Sequence, residues 1–133
     1  MRFVRAAFDT EELFRVADES ERIGHAEARI VDSIVMMFDG PARWRDTPAF
    51  MRLYVPDGKA AYRQALEAGA TSITRPTHLF FGDVVRRVRD PFDNVWLIHE
   101  RVEEVDEEET ARRLQDPEWI ARMAYVQGAE IVL

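Results

Sequence analysis

The stretch GDVVRRVRDPFDNVWLIHE, residues 82–100, constrains the fold of this chain most, because it predicts a β-hairpin. Residues 84–89 and 95–100 are rich in Val, Ile and Trp, which favour strands, and they flank the turn cluster 90–94. Within that cluster, proline presets φ for a turn, and the Asp and Asn that follow tolerate a left-handed backbone. The stretch therefore predicts two strands joined by a tight turn.

The size of the chain predicts one domain. Its 133 residues are 47% hydrophobic and 11% aromatic, which is enough to bury a core. Cysteine is absent, so disulfides, thiolate metal sites and cysteine nucleophiles are excluded. No apolar run has the length of a membrane span, and the N-terminus lacks a signal-peptide pattern. We therefore expect a cytoplasmic protein with no membrane partner.

The net charge of −7 is concentrated in one segment, residues 100–109, ERVEEVDEEE. The remainder of the chain is close to neutral. Acidic residues at the start of a helix favour its dipole, so this run predicts the beginning of a solvated helix. Nothing in the charge pattern indicates a surface for phosphate groups, and we expect no nucleic-acid partner.

The other segments predict a mixture of helices and strands. Glycine and proline end most of them, and Asp116 followed by Pro117 is a typical helix start. The predicted helices cover residues 3–8, 58–68, 106–114 and 118–124. The predicted strands outside the hairpin cover residues 12–17, 23–30, 33–38, 50–55, 71–74 (ended by Pro76) and 129–133.

The hairpin and its surroundings resemble a known family. From residue 50 the predicted order is strand, helix and three strands, and RVRDPFDNVW resembles the last hairpin of a module in the vicinal oxygen chelate superfamily. That superfamily includes glyoxalases, extradiol dioxygenases and bleomycin-resistance proteins. Residues 3–39, FVRAAFDTEELFRVADESERIGHAEARIVDSIVMMFD, resemble the first module of its uncharacterised glyoxalase-like branch. The resemblance covers roughly residues 3–113.

The resemblance implies an α+β fold with two βαβββ modules in a single domain, 1–133. Residues 1–40 form an incomplete first module, 49–102 a complete second module, and 103–133 a helical extension with a terminal strand. The opening strand of the first module is missing at the N-terminus, which leaves an open sheet edge. We hypothesise that residues 124–133 supply it, by permutation in the same subunit or by a swap between subunits. The alternative is a tail that only covers apolar surface. A homodimer is expected.

In this superfamily each sheet packs one face on its helix and offers the other to a cleft. Strand alternation assigns residues to the two faces. A two-residue turn at Val31 and Asp32 pairs Glu27 with Met36 and His25 with Phe38. Trp44 lies in a loop between the modules, and it could be exposed there. The predicted ligand-binding residues are Met36, Phe38, Trp44, Phe50, Arg52, Tyr54, Phe80, Phe81, Leu97 and His99.

The resemblance places metal ligands of catalytic relatives at Phe50 and Leu97, and neither side chain can bind a cation. We therefore expect no metal and no other cofactor, since a zinc or iron site needs about three protein ligands. His25 and Glu27 are the weak candidates for an acid–base pair, and the alternative is a structural hydrogen bond. His99 is assigned to the cleft, although its acidic neighbours also favour an exposed surface position.

These residues support three functional hypotheses. The first, which we prefer, is a metal-independent protein that binds an aromatic or peptide antibiotic-like molecule in an aromatic-lined cleft, for resistance or transport. The second is a divergent glyoxalase-like or dioxygenase-like enzyme, dependent on metal or using His25 and Glu27. The third is a module that mainly dimerises or contacts other proteins.

Overall fold

The computed structural model describes residues 1–129, and within them the chain is α+β with two sheets and four helices. It divides into two compact units, Met1–Thr47 and a second unit that starts at Pro48. The predicted module boundaries and the grouping of the modules into one domain stay predictions. The predicted terminal strand at residues 129–133 lies, apart from Ala129, outside the described residues.

The first unit is a short helix followed by a three-stranded antiparallel sheet, in the order β1-β2-β3. Apolar residues of the helix and of alternate β2 positions are buried, including Phe3, Ala7, Ala28 and Ile30. The elements are α1 (Arg2–Phe8), β1 (Glu11–Ala17), β2 (Ile23–Ile30) and β3 (Ser33–Met37).

The hairpin of β2 and β3 has the predicted register. Glu27 lies opposite Met36, and the turn residue Val31 has a φ of 56°. A β-branched residue rarely adopts this left-handed conformation, so the strand pairing on both sides of the turn must offset its strain. The strand β3 ends at Met37, one residue before the predicted end.

The first sheet has a free edge at β3, because β3 pairs only with β2 among the residues that the structure describes. The order helix and three strands is a βαβββ module without its opening strand, as the sequence predicted. The proposal that the C-terminal segment supplies the missing strand depends on residues 130–133, which lie outside the described part of the chain. It stays a prediction.

The second unit contains a complete βαβββ module. Its sheet has the order β4-β7-β6-β5, in which β4 runs parallel to β7 and the other pairs are antiparallel. The helix between the first two strands is the crossover connection that these two strands require, because they run in the same direction within the sheet. The elements are β4 (Phe50–Tyr54), α2 (Gly58–Glu67), β5 (Thr71–His78), β6 (Asp83–Arg89) and β7 (Val95–Arg101).

The turn between β6 and β7 is organised by the buried carboxylate of Asp90. It accepts hydrogen bonds from the backbone N–H groups of Phe92 and Asn94 and from Nε1 of Trp96. Asp93 has a φ of 68°, the left-handed backbone that the turn chemistry indicated. The predicted hairpin is confirmed, and its turn is fixed by side-chain hydrogen bonds.

The strand β5 is longer than predicted, because it continues through Pro76 to His78. Proline cannot donate a hydrogen bond to a neighbouring strand, but β5 lies at the edge of the sheet. The pairing with β6 is irregular between Thr74 and Thr77, and the proline falls in that interval. The prediction that Pro76 ends the strand was wrong for this reason.

Two further helices follow the module, α3 (Glu107–Arg113) and α4 (Pro117–Gly128). Asp106 and Asp116 cap their N-termini, as the sequence indicated for Asp116. The helix α4 extends beyond its predicted end at residue 124, because Val126 packs against the body of the unit. No helix in residues 1–129 is long and apolar enough to span a membrane.

Candidate functional site

The second sheet has two distinct faces, and α2 covers one of them. Glu100 accepts a hydrogen bond of 3.0 Å from the backbone N–H of Gly58, the first residue of α2. Arg86 lies 3.4 Å from the same carboxylate. Because side chains alternate along a strand, the neighbours of Arg86 and Glu100 point to the opposite side, which we call the front face.

Strand register arranges the front face in three rows of side chains that cross the sheet from β4 to β5. The two strands predicted to face the cleft indeed lie side by side. One contributes Phe50, Arg52 and Tyr54, and the other contributes Val95, Leu97 and His99. The upper row is Phe50, Val95, Arg89 and Thr71; the middle row is Arg52, Leu97, Arg87 and Thr74; the lower row is Tyr54, His99, Val85 and Thr77.

The front face is open to solvent along β4. Phe50 is 54% exposed and Tyr54 is 52% exposed, and Arg52 between them is exposed as well. Along the neighbouring strand, Leu97 and His99 are buried. Large apolar side chains exposed on one protein surface are candidates for ligand contact, and these two rings share a face with the cation of Arg52.

The helix α4 covers the part of the front face that lies away from β4. Its residue Val126 packs with Leu79 and with Val85 of the lower row, and Phe81 and Met123 join this cluster. Phe80 contacts Phe81 edge to face, with ring centroids 5.2 Å apart. Of the predicted site residues, Phe81 therefore lies in the cluster beside α4, and Phe80 contacts Phe81.

A buried carboxylate, Asp83, anchors the lower row. Its Oδ2 accepts hydrogen bonds from the Tyr54 hydroxyl at 2.7 Å and from Nδ1 of His99 at 3.0 Å. Arg101 Nε lies 2.8 Å from the other oxygen, so the charge has a partner. The hydrogen bond to Asp83 also raises the pKa of Tyr54 above its ordinary value.

His99 is 2% exposed, so its alternative placement at the surface is wrong. The acceptor that makes its burial tolerable is Asp83, which lies sixteen positions earlier in the chain. Because Nδ1 donates to that carboxylate, a neutral His99 carries its lone pair on Nε2. This nitrogen is enclosed and has no partner among the described residues.

The middle row contains two arginines that have no acidic partner within the described residues. Arg87 is 8% exposed, and its Nε makes no hydrogen bond within residues 1–129. Burial lowers the pKa of Arg87, and the neighbouring positive charge of Arg52 lowers it further. The hydroxyl of Thr74, the next residue in the row, is also buried without a partner in the described chain.

Arg87, Thr74 and Asp83 are not among the site residues that the sequence predicted. The two residues on β6 were within reach, because pairing across the predicted hairpin puts Arg87 opposite Leu97 and Asp83 opposite Arg101. Thr74 could not be assigned, because the irregular pairing of β5 changes its register.

The first unit also has a sheet face with mixed side chains. His25 Nε2 lies 2.9 Å from Glu27 Oε1, and both groups are partly exposed. This contact fits both the acid–base pair and the structural hydrogen bond, so the catalytic role stays a prediction. The pairing of the strands puts exposed apolar residues around this pair. They are Phe14, Val16, Ile34 and Met36.

Phe38 and Trp44 form a separate feature of the first unit. Their rings pack edge to face with centroids 6.2 Å apart, and they line a cavity of about 420 Å³ with Pro41, Arg45 and Thr47. Phe38 is 60% exposed and Trp44 is 55% exposed. The expected exposure of Trp44 is confirmed, while its role in ligand binding stays a prediction.

An ion-pair cluster attaches α3 to the rest of the second unit. The Arg113 guanidinium contacts the carboxylates of Glu103 and Glu109 and stacks on Trp119, with 4.3 Å between the guanidinium carbon and the ring centroid. The hydrogen bond from Arg113 holds the pKa of Glu103 below its ordinary value. Hydrogen bonds from Arg112 and then Arg113 lower the pKa of Glu109 to about 2.

We expect this cluster to make the protein sensitive to acid. A carboxylate whose pKa is lower in the folded state stabilises the fold above its unfolded pKa, here 4.5, and loses that contribution as the pH falls toward 2. Urea unfolding followed by circular dichroism should therefore show a falling free energy of unfolding over this interval. In Arg113→Gln the decline should be shallower. An equal decline in both proteins would contradict this role for the cluster.

The residues at the positions of the superfamily's metal site do not fit a metal ion. Phe50 and Leu97, where the resemblance places the ligands, carry only hydrocarbon groups, and they occupy adjacent rows of the front face. Within residues 1–129 no group of three or more His, Asp or Glu is arranged to hold a metal. We assign no metal-dependent step to this site.

Comparisons with known proteins place this arrangement among its relatives. No family model matches the chain. An uncharacterized protein of Mycobacterium bovis is 34% identical over 118 residues, which cover 80% of this chain and 78% of that protein. An uncharacterized protein of Mycobacterium tuberculosis has the same identity, with 80% of this chain and 69% of the relative covered.

Solved structures share the fold. TioX from Micromonospora sp. ML1 matches with a TM-score of 0.62 and 19% identity, over 75% of this chain and 85% of TioX. A glyoxalase/bleomycin resistance protein/dioxygenase family enzyme from Burkholderia phytofirmans has a TM-score of 0.58 and 18% identity, over 75% and 86% of the two chains. The fosfomycin resistance protein FosX from Listeria monocytogenes has a TM-score of 0.55 and 12% identity, over 81% and 84%.

Proposed function

Because the chain belongs to the family of these two mycobacterial proteins and has the vicinal oxygen chelate fold, we propose that it binds a small aromatic molecule without a metal. The front face of the second sheet is the proposed binding surface. The supporting observation is the arrangement on β4, where the exposed rings of Phe50 and Tyr54 lie on either side of Arg52. Aromatic walls with a polar anchor suit a planar ligand.

The proposed ligand is an antibiotic-like compound, and the proposed role is sequestration or transport. FosX is described as a fosfomycin resistance protein, and the Burkholderia match is named for a family that includes bleomycin resistance proteins. These names support the class of ligand only by analogy of fold. The hydrocarbon side chains at Phe50 and Leu97 support binding without metal chemistry.

We test this function by removing one ring of the front face. Phe50→Ala should weaken the binding of an aromatic antibiotic by about 1–3 kcal/mol if the ring contacts the ligand. The control is Phe92→Ala, which removes a ring that is 70% exposed in the β6–β7 turn. The measurement is a thermal-shift panel of planar and peptide antibiotics on chelator-treated protein, followed by calorimetric titration.

Stabilisation by an antibiotic and by no metal would support sequestration, with weaker binding in Phe50→Ala than in Phe92→Ala. Saturable stabilisation by one metal ion would contradict the metal-independent proposal. Trp44→Ala belongs in the same series, because Trp44 lines the cavity of the first unit. Normal affinity in that variant would remove Trp44 from the binding residues.

The second candidate function is an enzyme that uses acid–base chemistry. The observation in its favour is the contact of 2.9 Å between His25 and Glu27, which lies on a partly exposed sheet face. Mass spectrometry of a compound incubated with the protein separates the two functions. An unaltered compound supports binding, and conversion that stops in His25→Ala supports the enzyme.

The assembly and location of the protein also remain proposals. We propose a homodimer, because β3 has a free edge within the described residues and an unpaired edge favours strand addition. Nucleic acid and membrane surfaces are not proposed as partners. A cytoplasmic location stays a prediction.

A further inference from the structure

We infer that the middle row of the front face, Arg52, Arg87 and Thr74, binds an oxyanion group of the ligand, such as a carboxylate or a phosphate. This inference rests on the proposed function, because it assigns a charged group to the molecule that binds there. The three residues are aligned across the sheet, with Leu97 between the two arginines.

Arg87 differs from the other buried arginines of the described chain in its ion pairing. Arg86 lies 3.4 Å from Glu100, and Arg113 contacts Glu103 and Glu109. Arg87 has a similar burial, but no carboxylate of residues 1–129 forms an ion pair with it. Buried charges are normally paired, so a charge that has no partner within residues 1–129 points to a partner from outside these residues.

The spacing of Arg52 and Arg87 suits an anion shared between them. Arg52 and Arg87 lie on strands separated by β7, so their Cα atoms are roughly 9–10 Å apart. Guanidinium groups on long side chains can both reach an anion between them, and each presents paired N–H donors that match a carboxylate or phosphate. Thr74, directly beside Arg87, adds a buried hydroxyl that has no partner in the described residues.

The electrostatic surroundings of Arg87 also favour a bound anion. Burial and the charge of Arg52 lower the pKa of Arg87, which means that its charged form is less favourable at this position than in water. An anion would offset both effects at once. Binding should therefore stabilise the fold, and replacing Arg87 by an apolar residue of similar length should stabilise the empty protein.

The rows on either side define the rest of the ligand. Along β4, Phe50 of the upper row and Tyr54 of the lower row lie on either side of Arg52. Both rings are exposed. A planar aromatic acid would place its ring against one of these side chains and its carboxylate against the arginines. Benzoate is the simplest probe of this class, and benzamide is its neutral counterpart.

The test compares Arg87→Met with Arg63→Met by thermal shift. Arg63 is an exposed residue of α2, and α2 covers the opposite face, so its variant removes the same charge from outside the site. Probes are benzoate, benzamide and inorganic phosphate, with chloride at matched ionic strength as the reference. Wild type and Arg63→Met should show a saturable rise in melting temperature with benzoate. Arg87→Met should melt a few degrees higher without ligand and lose the response.

A second variant, Arg52→Met, keeps the inference testable if Arg87→Met does not fold. Arg52 is exposed, so its replacement should leave the fold intact and weaken benzoate binding at least tenfold. A benzoate response that survives both substitutions would overturn the oxyanion site. Equal responses to benzamide and benzoate would overturn it too, while leaving the binding function in place. No response to any aromatic compound would overturn the proposed function itself.

Discussion

Replacing Asp83 by Ala is expected to lower the free energy of unfolding by about 3–5 kcal/mol, because it removes a fully buried carboxylate together with the hydrogen bonds that Tyr54 and the buried His99 donate to it. The carboxylate is fully buried and receives the Tyr54 hydroxyl, Nδ1 of His99 and the Arg101 guanidinium. Its loss would leave the buried His99 without an acceptor and Arg101 without its neutralising charge. Urea unfolding at pH 7 measures the change.

Two variants calibrate this result. Tyr54→Phe removes a single donor from the same carboxylate, and it should cost about 1 kcal/mol. Asp46→Ala removes a carboxylate from an exposed loop of the first unit, and it should have almost no effect. A loss in Asp83→Ala no greater than that in Tyr54→Phe would show that Asp83 does not hold the lower row together.

The second large effect is expected at Gly82, which connects β5 and β6. Its φ is 100°, and a Cβ at this position would collide with the carbonyl oxygen of Glu103. The same glycine accepts backbone hydrogen bonds from Val102 and Glu103. Gly82→Ala must therefore strain the backbone and separate these segments, at a cost of about 3 kcal/mol or more.

Gly128→Ala is the matched control, because it makes the same chemical change where, among the described residues beyond its own helix turn, no atom lies within 4 Å of the new methyl group. Gly128 is the last residue of α4, and alanine favours a helix more than glycine does. Its variant should melt at the same temperature as wild type or slightly higher. If both variants had similar stabilities, the close approach of Gly82 to Glu103 would be refuted.

The sequence predicted the parts of the fold that depend on neighbouring residues. The β6–β7 hairpin follows from turn chemistry between two apolar strands, and its buried Asp90 belongs to the same segment. Alternation then assigned Arg52 and Leu97 to one face, and the observed pairing confirms this assignment. Such features are local in the chain, so composition and spacing contain the information.

The features that could not be predicted depend on distant contacts. Pro76 continues β5 because that strand occupies an edge, which is a property of the whole sheet. The helix α4 continues past residue 124 because Val126 packs against Leu79 and Val85. His99 is buried because Asp83 accepts a hydrogen bond from its Nδ1, and a single sequence does not show that pairing directly.

The central claim, that the front face of the second sheet is a ligand site, is tested most directly by titrating isotope-labelled protein with benzoate and following the backbone amide resonances. We expect saturable shifts centred on Arg52, Arg87 and Leu97, which occupy the middle row. Residues of α2, on the opposite face, should not move. Shifts confined to α2 or to the first unit would contradict the claim, as would a spectrum that benzoate leaves unchanged.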